Sequence, residues 1–176
     1  MRNIADFFYN HPDVEVSLLV CNKQGAGVLK HAQHFQIPVI MVDRTRFYES
    51  DDLLHVLQGR NINLIVLAGF LWLIPERIIN AFPDRIINIH PALLPGFGGK
   101  GMYGEKVHRA VIDAKAPYSG ITIHYVNAHY DEGAIIFQKK VKVDPHDTPA
   151  SLADKIHGLE YKHYPDVIER LLEQLD

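Results

Sequence analysis

Four short apolar runs punctuate the first half of the chain: VEVSLLV (14–20), IPVIMV (37–42), LIVLAG (64–69) and RIINIH (85–90). Amphipathic segments separate them, GVLKHAQHF (27–35), YESDDLLHVLQGR (48–60) and PERIINAF (75–82). Runs of four to eight apolar residues without strict alternation are what strands covered on both faces look like, so the pattern predicts parallel strands. Strands alternating with helices restrict the fold class to α/β with three layers. The second half reads differently. GITIHYV (120–126) and GAIIFQKKVKV (133–143) flank the turn-rich NAHYDE, which predicts a long antiparallel excursion at the sheet edge. A last helical region opens at Thr148-Pro149, an N-cap followed by proline at the first helical position. Leu152, Ile156 and Leu159 share one face, Pro165 is expected to interrupt the pattern, and Val167, Ile168, Leu171, Leu172 and Leu175 resume it.

Composition narrows the function classes. With 176 residues, 47% hydrophobic and 22% charged, the expectation is one domain spanning 1–176. A formal net charge of −3 supplies no basic footprint for nucleic acid, so the expected partners are small molecules. The single Cys21 excludes an internal disulfide, and the N-terminus lacks the order of a signal peptide, which together predict a reducing cytoplasm. The longest apolar stretch, LIVLAGFLWLI, is about half of the ~20 residues a membrane span needs, so no membrane association is expected. His31 and His34 have no cysteine or carboxylate in a ligand-like pattern, and His55, His108, His146 and His163 lie in polar surroundings. All six are read as solvated surface histidines, and no metal is predicted. QGAG after the first strand lacks the third glycine of a dinucleotide fingerprint, with Lys30 in its place, and reads as a plain strand-to-helix turn.

One run does not end as packing alone would have it. RIINIH closes on Asn88 and His90, two apart and therefore on one face of a strand, with Ile87 and Ile89 on the other. The C-terminal ends of strands in open α/β sheets are where ligands bind. Taken alone, the pair is read equally well as a loop cap and a satisfied core histidine. HPALLPGFGGKGMYG then spends two prolines and five glycines over fifteen residues, a stiff entry into a mobile loop of the kind found over active sites.

Asn88-Ile-His90-Pro-Ala-Leu-Leu-Pro95, Gly120-Ile-Thr-Ile-His124-Tyr, Tyr130-Asp131-Glu132-Gly133-Ala-Ile-Ile and Leu67-Ala68-Gly69-Phe70 together resemble the formyltransferases that use 10-formyltetrahydrofolate. GFGGKGMYG and Leu159-Glu160-Tyr-Lys-His-Tyr-Pro165 narrow the resemblance to the branch that formylates the amine of glycinamide ribonucleotide in purine synthesis. The resemblance spans essentially the whole chain. It implies a Rossmann-like three-layer sandwich, a mostly parallel sheet with an antiparallel edge excursion, 10-formyltetrahydrofolate as co-substrate, no metal, and a monomer or homodimer.

Carried onto this sequence, the resemblance implies Asn88, His90 and Asp131 as the catalytic trio. Asn88 would donate to the oxyanion, His90 would relay the proton, and Asp131 would favour the protonated imidazole. Asp131 in YDEG also reads as an ordinary turn aspartate. Folate would contact Leu71, Trp72, Leu73 and Ile74, the loop from Asn127 to Asp131, and Arg46 near its carboxylated tail. Glu160 would accept from the ribose hydroxyls, with His157 one turn before it; an exposed helix face competes with that reading. His124 lies beside the site, with a structural hydrogen-bonded role equally open.

The resemblance also implies an alternative, a formyltetrahydrofolate hydrolase with water as acceptor, against which LEYKHYP argues. Relatives begin with a strand and a glycine- and serine-rich turn that holds the substrate phosphate at a helix N-terminus. The first residues here, MRNIADFFY, correspond to the helix after that turn. The expectation is a natural start some 10–20 residues upstream, one strand and one turn. The other possibility is a shortened, non-catalytic folate-binding relative.

Overall fold

A computed structural model describes residues 1–175, which divide into two compact units, residues 1–63 and residues 64 onward. In the first unit α1 (Arg2–Phe8) precedes β1 (Leu19–Cys21), α2 (Val28–His34), β2 (Val39–Met41), α3 (Arg44–Glu49) and α4 (Asp52–Gly59). β1 and β2 form a parallel pair in which Leu19 faces Val39 and Cys21 faces Met41. The apolar run 14–20 was expected to be strand throughout, yet only its end pairs, because β2 offers a three-residue ladder. Cover on both faces also fails for β2, where Val39 and Met41 stay 40% and 39% exposed.

The segment 48–60 is two helices rather than one. Ser50 takes an extended backbone and its Oγ accepts the Asp52 N–H, a local bond that competes with helix continuation. Asp43 caps α3 by accepting the Arg46 N–H at 2.9 Å. Ala5, Ala32 and Ile37 form the small core of this unit.

In the second unit β3 (Ile65–Leu67), α5 (Glu76–Ala81), β4 (Ile86–His90), α6 (Glu105–Asp113), β5 (Tyr118–Tyr125), β6 (Ile135–Lys142) and α7 (Pro149–Leu172) follow in order. The sheet runs β3-β4-β5-β6, with β3 and β4 parallel and the remaining pairs antiparallel. This is the Rossmann-like α/β pattern with the predicted antiparallel excursion. Gly69, at φ 72°, ends the third apolar run soon after β3, a conformation that glycine takes without steric cost.

Ile86, Ile87, Ile121 and Ile123 are fully enclosed, and Val111 of α6 with Leu152 and Ile156 of α7 packs against Ile121. α6 falls in a stretch to which the sequence reading assigned no element, directly after the glycine-rich loop. α7 runs unbroken for 24 residues with Pro165 inside it, so the expected interruption does not occur. Burial of Tyr164, Val167, Ile168 and Leu171 outweighs the roughly 3 kcal/mol a helix-interior proline costs. The Tyr164 hydroxyl donates to the Leu67 carbonyl at 2.8 Å, tying α7 to the end of β3. Among the described residues no helix is long and apolar enough to cross a membrane.

Candidate active site

Strand register brings the polar residues together. Asn88 lies opposite His124 and His90 opposite Thr122, so the four side chains share one face of the β4–β5 ladder, above the isoleucines of the other face. His90, Thr122 and His124 are 3%, 0% and 3% exposed. Groups buried this deeply need partners, and each has them.

Thr122 organises the turn that leaves the strand. Its hydroxyl donates to the Ala92 carbonyl at 2.7 Å and accepts the Leu94 N–H at 3.0 Å. Gln138 on β6 donates its amide to the Leu94 carbonyl and to the Thr122 hydroxyl, both at 2.9 Å. The turn contains a cis Leu94-Pro95 bond. Sequence reading overlooked Thr122 and Gln138; for Thr122 the available signal was a polar residue between Ile121 and Ile123, and for Gln138 there was none.

The tautomers follow from the partners. His124 Nδ1 lies 2.8 Å from the Tyr125 carbonyl and must donate to it, which leaves Nε2 to accept the Asn88 Nδ2–H at 3.2 Å. His124 thereby fixes the amide of Asn88 and leaves its second N–H for a ligand. His90 Nε2 lies 2.8 Å from the Phe97 carbonyl and donates to it. In the neutral ring the Nδ1 lone pair then faces Asp131 Oδ2 at 3.4 Å, where a proton arriving on Nδ1 meets a carboxylate.

Asp131 arrives from the turn between β5 and β6 with φ 58°, a left-handed backbone unusual for a residue with a Cβ. Its Oδ2 accepts the Gly99 N–H at 2.9 Å, and His124 Nε2 lies 3.6 Å from Oδ1. Gly98 makes this close approach possible, since a Cβ there would sit 2.4 Å from Leu94 Cδ2 and 3.3 Å from Asp131 Cβ. Burial pushes the Asp131 carboxyl up, but His124, the Gly99 N–H and His90 together hold it below the ordinary range. Burial dominates at His90 and lowers it from 6.5, although Asp131 and the Phe97 carbonyl pull upward. Asp131 thus favours the protonated ring, but burial outweighs it, and the imidazole is neutral at neutral pH.

The other residues singled out in the sequence are placed as follows. Leu71 is exposed, Trp72 and Leu73 are half-buried and Ile74 is buried, in the loop after β3, with Trp72 edge-on to Phe70 at 5.8 Å. Asn127 accepts the His129 N–H at 2.9 Å in the turn that leads to Asp131. Arg46 belongs to the first unit, where its guanidinium meets Asp52 at 3.2 Å on the surface. On α7, burial raises the Glu160 carboxyl while His157 lowers it, and His157 stacks on Tyr161. His55 and His146 are exposed as expected, but His108 is not: it is 3% exposed on the inner face of α6. The helix that the sequence did not reveal turns it inward. Among the described residues no three histidine, cysteine or acidic side chains are grouped to hold a metal ion.

A carboxamide N–H beside a neutral imidazole backed by a carboxylate can stabilise an oxyanion while a proton is moved, which is the requirement of acyl-type transfer. Comparisons with known proteins point the same way. A family profile described as "Formyl transferase" matches residues 3–168. The chain is 45% identical over 165 residues to the chloroplastic phosphoribosylglycinamide formyltransferase of Arabidopsis thaliana, covering 91% of this chain and 56% of that protein. It is 38% identical to the phosphoribosylglycinamide formyltransferase of Bacillus subtilis, covering 91% and 82%. Against the two plant relatives the chain spans about half of their length, 56% and 53%. The crystal structure of phosphoribosylglycinamide formyltransferase from Bacillus halodurans superposes with a TM-score of 0.85 at 32% identity, covering 99% of this chain and 90% of that one. The enzyme of the same name from Anaplasma phagocytophilum gives 0.87 at 32% identity, covering 98% and 80%.

Proposed function

The chain belongs to the formyl transferase family, and from that premise we propose that it transfers the formyl group of 10-formyltetrahydrofolate to the amine of glycinamide ribonucleotide. The observation that carries the reading is the cluster at the end of β4, where Asn88 is aligned by His124 and His90 faces Asp131.

The amine nitrogen attacks the formyl carbon, a C–N bond forms, and the carbonyl oxygen becomes an oxyanion. The Asn88 N–H not engaged by His124 donates to that oxyanion, a contact worth about 2.7–4 kcal/mol in other enzymes. The amine loses a proton, which neutral His90 accepts and Asp131 stabilises as an ion pair. When the intermediate collapses, the bond from carbon to the folate nitrogen breaks and the proton passes to that nitrogen. The products are a formamide and tetrahydrofolate.

Leu71 to Ile74 and the turn from Asn127 to Asp131 supply apolar side chains and backbone polar groups suited to a pterin ring. Glu160 is suited to the ribose hydroxyls, since its partial burial makes each hydrogen bond to it stronger. Cys21 is free and buried, as suits a protein of a reducing compartment such as the cytoplasm.

Incubation of the protein with 10-formyltetrahydrofolate and glycinamide ribonucleotide tests the proposal, with both products followed by mass spectrometry. Formylated nucleotide and tetrahydrofolate in equal amounts are expected. Formate released at the same rate with and without the nucleotide would make water the acceptor and overturn the transfer reading.

A further inference from the structure

Two backbone groups of one loop meet the two side chains that handle the proton. The Phe97 carbonyl accepts from His90 Nε2, and the Gly99 N–H donates to Asp131 Oδ2. Asp131 and the Phe97 carbonyl pull the proton of the neutral ring in opposite directions. A carboxylate 3.4 Å from Nδ1 favours the tautomer with its proton on Nδ1, whereas a carbonyl 2.8 Å from Nε2 favours the proton on Nε2. Only the second tautomer leaves Nδ1 as an acceptor beside Asp131. The placement of the Phe97 carbonyl therefore decides whether neutral His90 can take a proton there.

That carbonyl needs support from elsewhere. Phe97 has φ 57°, a left-handed backbone that a residue with a Cβ keeps only where its surroundings impose it. The constraint begins three residues upstream. The Thr122 hydroxyl accepts the Leu94 N–H at 3.0 Å, and the Gln138 amide donates to the Leu94 carbonyl at 2.9 Å. The same amide nitrogen donates to the Thr122 hydroxyl, so Gln138 acts on both polar groups of Leu94, one directly and one through Thr122. Leu93 lies over Gly120, where a Cβ would stand 2.7 Å from its Cδ2, and Pro95 fixes its own φ. With Leu94 held and Pro95 stiff, little freedom remains before Phe97. Strand register aligns the parts: Gln138 lies opposite Thr122, and Thr122 opposite His90.

We propose that Gln138 is a positioning residue for formyl transfer, seating the Phe97 carbonyl through Leu94 and so keeping the proton of neutral His90 on Nε2. Its effect on rate rests on the formyl-transfer reading, whereas its effect on the ring rests on hydrogen bonding alone. The role requires N–H donors on a side chain long enough to reach inward from β6. An exposed residue on the outermost strand thus bears on a buried imidazole.

NMR of the ring nitrogens in the full chain, free of ligands and at a pH where His90 is neutral, is the test, with steady-state kinetics beside it. In the wild type His90 is expected as the Nε2–H tautomer. Gln138→Met keeps the length and removes the donors, and it should move His90 toward the Nδ1–H tautomer. His124 is the internal control, since its tautomer is set by the Tyr125 carbonyl of its own strand and should not change. Gln138→Lys restores a donor and should restore the wild-type tautomer. Gln138 is exposed, so both variants are expected to keep the fold. In formyl transfer Gln138→Met should lose about 10–10²-fold in kcat, as a misplaced catalytic group does, with the KM for folate unchanged and Gln138→Lys losing less. An Nδ1–H tautomer in the wild type, a His90 tautomer unmoved in Gln138→Met, or His124 moving as far as His90 would overturn the proposal. So would equal losses of kcat in the two variants. A chain that transfers no formyl group but shows the tautomer shift would count against the formyl-transfer reading and leave the control of His90 by Gln138 standing.

Discussion

Asp131 Oδ2 stands 3.4 Å from His90 Nδ1, and the aspartate reaches that position through a left-handed backbone at φ 58°. The turn is held there by the Gly99 N–H on the same oxygen and by the room that Gly98 leaves. The carboxylate is thus anchored by backbone before any proton arrives, so the imidazolium that forms on reaction meets a charge already in place.

Removing that charge has a signed consequence. Asp131 raises the His90 pKa against the larger lowering from burial, so Asp131→Asn should shift the acidic limb of the kcat profile to lower pH. In the wild type the limb should already lie below 6.5, since the buried ring is lowered from that value. The kcat plateau should fall roughly 10²–10⁴-fold, as for loss of general acid–base assistance. A plateau within threefold of wild type, by steady-state assay across pH, would remove Asp131 from the proton path; His90→Ala should fall at least as far.

Asn88→Ala should lower kcat by about 10²–10³-fold with little change in folate affinity, because its free N–H serves only the oxyanion. His124 acts through Asn88 and is a positioning residue. His124→Gln retains a side-chain acceptor and should keep more of the rate than His124→Leu, with KM unchanged in both. Equal losses in the two variants would point to packing alone.

His90 Nε2 donates to the Phe97 carbonyl, so the loop 96–103 covers the imidazole in this structure. Lys100 is exposed at its tip beside Gly99 and Gly101, both at positive φ. Limited trypsin digestion should cut after Lys100 in the free protein, and substrate with a folate analogue should protect it. Identical digestion rates with and without ligands would mean that the loop does not respond to the site.

Gly133 follows the Asp131 turn, where a Cβ would lie 1.7 Å from the Tyr125 carbonyl oxygen. Backbone cannot give way as a side chain can. Gly133→Ala should therefore cost at least about 2 kcal/mol, lowering the melting temperature by about 4 °C or more. An unchanged melting curve would mean that the turn relaxes freely.

Lys155 lies 2.6 Å from both Asp144 and Asp147, and with Ser151 it holds Asp147 down to about 2 from 3.8. A lowered carboxylate contributes stability above its unfolded value, and that contribution is lost as pH falls through the folded one. Asp147→Asn should melt below wild type at neutral pH, and the gap should close between 3.8 and about 2. Thermal melts at a series of pH values decide it.

The order of elements was legible because short apolar runs and amphipathic segments have different periods, and the β4 end because asparagine and histidine interrupt an apolar run. What stayed hidden depended on tertiary context. Pro165 reads as a break until the burial of the helix on both sides of it is seen. His108 reads as polar surface because α6 follows a glycine-rich stretch that masks its periodicity, and only a formed helix turns that side chain inward. Thr122 and His124 depend on register, which no local pattern reports. The trio itself rested on resemblance, since YDEG alone gives no reason to separate Asp131 from any turn aspartate.

β6 ends its sheet, and Lys139, Lys140 and Lys142 place three ammonium groups within four residues of that outer strand, one of them over the Tyr118 ring at 4.4 Å. An antiparallel copy of the same strand arriving from another molecule would set lysine against lysine, and like charges directly opposite each other repel. That repulsion opposes fibrous growth along the edge. Neutralising those side chains, as acetylation would, removes this protection while leaving the β4 cluster unaltered.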